Sequence, residues 1–198
     1  MKPHGVTAVL LILTFAMSGL CQSSVLEGKV RALFLLEEGP TFADVPNMLR
    51  QLGDDKETAA VLTNLASRYR DAKEQTLEFK ILNGVVAVLG ELRASSANEL
   101  LSSLLTDRKV HENVRALAAR SLGQIDPEAN KQSLLKAMDP SEHYLTRVYA
   151  AEGLARTKDP EALKSLERYG REESDSHVRQ QFEKAAQAMR ANGVKPPN

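Results

Sequence analysis

From residue 24 onward, apolar positions recur at spacings of three and four, the period of a helix with one buried face. Val25, Val30, Leu33, Leu35 and Leu36 begin the series. Gly39-Pro40 interrupts it, and Thr41 or Asp44 can cap a next helix with Pro46 in its first turn and Leu49 and Leu52 in its core. After Gly53, Asp54 or Asp55 caps a helix carrying Ala59, Leu62, Leu65 and Ala66. Leu77, Phe79, Ile81, Leu82, Val85, Val86, Leu89 and Leu92 form the next apolar stripe, and Leu100, Leu101, Leu104 and Leu105 follow Ser95-Ser96. No segment alternates with a period of two, so no strand is expected. The sharpest helix starts are Asp126-Pro127-Glu128 and Asp159-Pro160-Glu161. In each, Asp can accept an orphan backbone N–H, Pro suits the first helical position, and Glu complements the positive end of the helix.

The same pattern repeats at long range. Residues 114–129 read VRALAARSLGQIDPEA, residues 146–162 read TRVYAAEGLARTKDPEA, and residues 178–190 read VRQQFEKAAQAMR. Arg115, Arg147 and Arg179 are 32 residues apart. Val85, Val86, Leu89 and Gly90 align with Ala118, Ala119, Leu122 and Gly123 at a spacing of 33. A fixed period of this length marks stacked units, each burying its apolar face on its neighbours. The expected architecture is all-α: a right-handed α-solenoid of about five antiparallel helical hairpins, spanning roughly 24–53, 54–92, 95–125, 126–157 and 159–191. The segment from Asn192 to Asn198 reads as a frayed tail.

The repeat string, with the leucines after it and Met138-Asp139, resembles HEAT-like repeats of the kind found in phycobilisome lyases. The likeness is tight over residues 98–190 and loose over 24–97. It implies that the second helix of each hairpin lines a concave face. It also implies an Arg–Asp ladder in which Arg115, Arg147 and Arg179 tie to the loop carboxylates Asp107 and Asp139, with Asp175 as a displaced third. A lyase role is disfavoured, because those enzymes act on cytosolic pigment proteins and this chain has no cysteine or aromatic cluster beyond its N-terminal segment.

Charge narrows the choice of partner. The chain has 26 basic and 26 acidic residues among 198. Nucleic-acid binding wants a clear basic excess, and base stacking wants more rings than a 5% aromatic content with no Trp. The expected partner is another protein or a peptide, with no nucleic acid and no cofactor. The residues that vary in charge at equivalent positions are the candidate contacts: Arg120, Glu152 and Lys184 at a spacing of 32, together with Gln124, Arg156 and Glu183.

The first residues carry an address. Lys2 precedes an apolar run over residues 6–17, and Ser18-Gly19-Leu20-Cys21 follows. That is the layout of a secretory signal peptide, with Gly19 and Cys21 as the small residues before cleavage at Gln22. Residues 1–21 are then removed, residues 22–191 form the solenoid, and the protein is periplasmic or secreted. A single Cys excludes an intrachain disulfide, and removal of the segment takes that Cys with it. The rival reading is a lipoprotein tethered to a membrane through Cys21.

Metal chemistry is the remaining alternative. HEAT-like deoxyhypusine hydroxylases use repeated His-Glu pairs, and His111-Glu112 is one such pair. The equivalent positions hold His143-Tyr144 and Asp175-Ser176, so the motif does not repeat. Stacked hairpins lie about 10 Å apart, too far for His111, His143 and Asp175 to share one ion. A catalytic or lyase-like role would rest on His111 and His143; the expectation here is a non-catalytic scaffold with no metal.

Overall fold

The computed structural model describes residues 24–34, 45–50 and 54–197. The candidate signal peptide, Cys21, Gly39-Pro40, the capping residues Thr41 and Asp44, Leu52 and Gly53 lie outside these residues. Among the described residues every regular element is a helix. In chain order these are α1 (24–34), α2 (Val45–Arg50), α3 (Asp55–Arg68), α4 (Leu77–Glu91), a 3₁₀ turn (Ser95–Ala97), α5 (Asn98–Thr106), α6 (Glu112–Ile125), α7 (Lys131–Lys136), α8 (Tyr144–Leu154), α9 (Pro160–Glu172) and α10 (Ser176–Ala191). Paired in sequence they form the hairpins of an α-solenoid.

Local chemistry sets most of the boundaries. Asp54 caps α3 by accepting the Glu57 N–H at 2.8 Å. Thr76 caps α4 through the Phe79 N–H at 3.1 Å. Asp159 takes the N–H groups of Glu161 and Ala162, with Pro160 as the first helical residue. Asp175 does the same for His177 and Val178 at the start of α10. The start expected at Asp126-Pro127 is displaced. Asp126 closes α6 and turns the chain through the Ala129 N–H, and α7 begins only at Lys131. The cause is Asn130, which is buried and donates to the carbonyls of Leu122 and Asp126 and to Asn98 Oδ1. Those bonds satisfy carbonyls at the end of α6 and hold the four residues between as turn. They also leave α7 with only six residues.

One continuous core runs through the stack. Leu62, Leu65, Leu82, Val85, Leu89, Leu101, Leu104, Leu122, Leu134, Leu154, Leu163, Leu166 and Phe182 are all completely buried. Of the expected core positions, Leu33, Phe79, Leu92 and Leu100 are half-buried, Val25 is 51% exposed and Leu77, in the first turn of α4, is 61% exposed.

The second helices α4, α6, α8 and α10 pack on one another far more closely than α5, α7 and α9 do. A curved stack is tightest on its inner side, so this row is the concave one. Glycine permits the approach. A Cβ built on Gly123 would fall 2.5 Å from the Gly153 Cα, and one on Gly90 would fall 2.7 Å from the Ser121 Cα. Ser121 Oγ donates to the Val86 carbonyl across the same α4–α6 contact at 2.8 Å.

The last described hairpin has a polar outer face. On α9, Ala162, Leu163, Leu166 and Gly170 face inward, while Lys164, Arg168 and Arg171 are exposed. Val194 folds back, its N–H donating to the Met189 carbonyl, and is buried, so the segment expected to fray from Asn192 is held as far as Val194.

Candidate functional site

The conserved-phase arginines fasten the hairpins, and their carboxylate partners differ from those expected. Arg115 donates through Nε to the Leu105 carbonyl at 3.1 Å and through Nη2 to Glu142. Arg147 pairs with Glu173 in the same way, although its Nε is buried without a partner. Arg179 donates to the Glu173 carbonyl at 3.0 Å. The Arg115 and Arg147 rungs therefore join the second helix of one hairpin to the loop entering the next second helix, whereas Arg179 bonds the loop entering its own helix. Asp107 and Asp139 serve other ends. Asp107 accepts Arg70 at 2.8 Å and the Lys109 N–H, and these bonds, the backbone one foremost, hold its carboxyl below the ordinary aspartate value. Asp139 accepts the hydroxyl and N–H of Ser141, which lower it likewise. The reason is reach. The Arg115 and Arg147 guanidiniums lie almost buried at the core edge, where Glu142 and Glu173, only 11% and 7% exposed, extend to them.

The two histidines sit at the starts of α6 and α8. His111 accepts the Asn113 N–H through Nδ1 at 3.2 Å, which leaves Nε2 as the proton-bearing nitrogen, 3.7 Å from Glu74. His143 Nε2 lies 3.8 Å from Glu112. The two imidazoles thus face different carboxylates on successive hairpins. Among the described residues no three His, Cys, Asp or Glu side chains gather as a metal site.

The concave row brings most of the candidate contacts into one strip. Glu91 at the end of α4 accepts Gln124 at 2.8 Å and Arg120 at 3.4 Å, and the Arg120 guanidinium also lies 5.9 Å from the Tyr149 ring centre. Arg120 thus pairs backward to Glu91, not forward to Glu152 as charge alternation along the repeat would have it. Glu152, Arg156 and Lys184 line a groove of about 360 Å³ between α8 and α10, with Gln181 and Asn192 beside them and Ala155, Ala185 and Ala188 as its small residues. Arg156 Nη1 donates to the Gly123 carbonyl at 3.2 Å. Glu183 lies at the edge of this strip: it shares a hollow of about 380 Å³ with Gln181 and Lys184, and on its other side it reaches a cavity of about 190 Å³ with Leu166, Glu167 and Gly170 of α9.

A larger hollow, about 500 Å³, opens on the other side of the stack, among Leu105, Arg108, Lys136, Asp139, Glu142 and Tyr169. It lies beside the short α7. Most of its charges are already engaged, Arg108 with Glu142 and Asp139 with Ser141.

Glu91, Tyr149 and Gln181 were not expected in the strip, although Tyr149 and Gln181 are 32 apart and Glu91 lies 33 before Gln124, because the side chains at these positions differ in type from unit to unit. Glu142 and Glu173 escaped for a related reason. They are 31 residues apart, one short of the period that aligns the arginines.

A family model of HEAT repeats matches the chain over residues 80–147 and again over 110–190, together more than half its length. No curated protein matches it. HEAT repeats generally mediate protein–protein interaction. The match covers the hairpins built around Arg115, Arg147 and Arg179 and the glycine contacts between α4, α6 and α8; this chain is a member of the HEAT-repeat family.

Proposed function

We propose that the protein is an exported, non-catalytic scaffold that holds another protein in its concave strip. The observation that carries this reading is the α8–α10 groove. It is open without any rearrangement, is rimmed by the exposed charges of Glu152, Arg156 and Lys184, and has its α8 wall held against α6 by backbone contact at Gly123 and Gly153. A surface so preorganised loses little conformational entropy when a partner arrives. Export rests on Lys2, the apolar run at 6–17 and the small residues ending at Cys21. No helix of the described residues is long and apolar enough to cross a membrane.

The test uses the purified mature chain as bait in a native envelope fraction, with chemical crosslinking. A specific partner should be captured by the wild type and lost on charge reversal at Arg120 and Arg156 together. Capture unchanged by that double reversal would remove the concave strip as the binding surface. Mass spectrometry of the mature N-terminus separates a free Gln22 from a lipidated Cys21.

A further inference from the structure

We propose that the groove between α8 and α10 is a slot for an acidic segment of a partner protein, whose carboxylates are taken by Arg156 and Lys184 and whose aliphatic side chain rests on Ala155, Ala185 and Ala188. This rests on the reading of the concave strip as a protein-binding surface and names the chemistry that the surface selects.

The slot exists because the close packing of the inner row stops at α8. Between α6 and α8 the backbones touch at Gly123 and Gly153. The next contact has no such glycine pair. At the position of Ala118 and Ala150, α10 carries Phe182, whose ring meets Tyr169 of α9 edge-on with centroids 6.3 Å apart. So α10 packs chiefly against its own hairpin partner, and less closely on α8 than α6 does. The space left beside Ala155, Ala185 and Ala188 has the width of small side chains and the apolar character to receive a larger one.

Its charges await a partner. Arg156 is exposed, and its single hydrogen bond among the described residues runs from Nη1 to the Gly123 carbonyl. That bond fixes the guanidinium plane over the α6–α8 seam and leaves Nε and Nη2 free to donate. A guanidinium held in this way is suited to take a carboxylate through two parallel N–H groups. Lys184 is exposed and makes no ion pair among the described residues. By contrast Arg68, Arg70, Arg108, Arg115, Arg120, Arg147 and Arg190 all meet carboxylates. The groove lining holds two cations against one anion, Glu152, and Glu183 shares an adjoining hollow with Gln181 and Lys184, so the field favours a negative segment most strongly at Arg156. Glu152 lies one helical turn before Arg156 and repels a carboxylate there, which places the acidic group at the Arg156 end. Gln181 and Asn192 supply amides for the partner backbone.

Fluorescence anisotropy of the full mature chain tests this with two labelled peptides of about twelve residues. One is built from Leu, Ala and Glu, and the other has Lys at every Glu position. The wild type should bind the Glu peptide at low salt and not the Lys peptide, with binding weakened by added salt. Arg156→Glu with Lys184→Glu should weaken it at least roughly ten-fold, the scale of one charge-assisted contact. Ala188→Trp, which fills the slot and leaves the charges in place, should weaken it similarly. Equal binding of the two peptides, or Glu-peptide binding untouched by either change, would overturn the proposal. Loss on Arg120→Glu alone, with the Arg156 and Lys184 variants at wild-type strength, would also overturn the slot while leaving the concave strip as a binding surface. All these changes fall on exposed or half-buried positions, and thermal unfolding of each variant checks that the fold is kept.

Discussion

Gly123 of α6 lies against Gly153 of α8 so closely that a Cβ on the first would stand 2.5 Å from the Cα of the second. No rotamer relieves that contact, because both partners are backbone. Gly123→Ala should separate the two helices and destabilise the protein by about 1–3 kcal/mol, the usual cost of overpacking. Gly28 is the control. It lies in α1 with nothing within 4 Å of its absent Cβ, so Gly28→Ala should stabilise by about 0.4–1 kcal/mol through the unfolded chain. Urea unfolding measures both.

The Arg–Glu rungs predict an asymmetry. Arg147 and Glu173 are 10% and 7% exposed at their side chains, so Glu173→Ala leaves a nearly buried cation without its carboxylate and should cost about 3–5 kcal/mol. Removing both charges, as Arg147→Leu with Glu173→Leu, should recover much of that loss. Asp139→Ala removes only the bonds to Ser141 and should cost far less. A ladder built on Asp139 would give the reverse order in chemical denaturation.

Acid should weaken the fold in a defined direction. Asp107, Asp139, Asp159 and Asp175 are all held below the ordinary aspartate value of 3.8, chiefly by hydrogen bonds from Lys109, Ser141, Lys131 and Val178 respectively. A carboxyl with a lower value in the folded state adds stability that is complete above the unfolded value and disappears as pH falls through the folded one. The thermal midpoint should therefore hold down to the ordinary carboxylate range and drop below it. Asp159→Asn should make the drop shallower.

Ser121 offers a smaller effect. Its fully buried hydroxyl donates to the Val86 carbonyl across the α4–α6 contact. Ser121→Ala should cost about 0.5–1.5 kcal/mol, the net worth of one hydrogen bond. Ser121→Val should cost more, because Gly90 is pressed against the same residue. Differential scanning calorimetry resolves the two.

The repeat was legible because helical stacking writes itself at a fixed period: arginines, alanines and leucines that fill the same place in each hairpin recur at 32 or 33. Caps with one local partner, such as Asp159, were legible too. What escaped depends on contacts across the period. Asn130 delays α7 by reaching Asn98, in the preceding hairpin. Glu142 and Glu173 serve the same arginine position from loops that differ by one residue, so strict alignment hid them. Arg120 turned back to Glu91 instead of forward to Glu152, because Glu91 also receives Gln124 and holds both donors at one carboxylate. Leu77 read as core from its spacing, yet in the first turn of α4 it is exposed, and the buried face of the helix begins at Ile81.

The Arg115–Glu142 rung lies wholly within the stretch from Glu112 to His143, which gives that stretch the character of a self-contained cassette. A second copy inserted directly after His143 would bring its own arginine, its own acceptor and its own close-packing glycine. It would meet the same neighbours that α8 meets now. Lengthening the protein is therefore a matter of duplication in the middle.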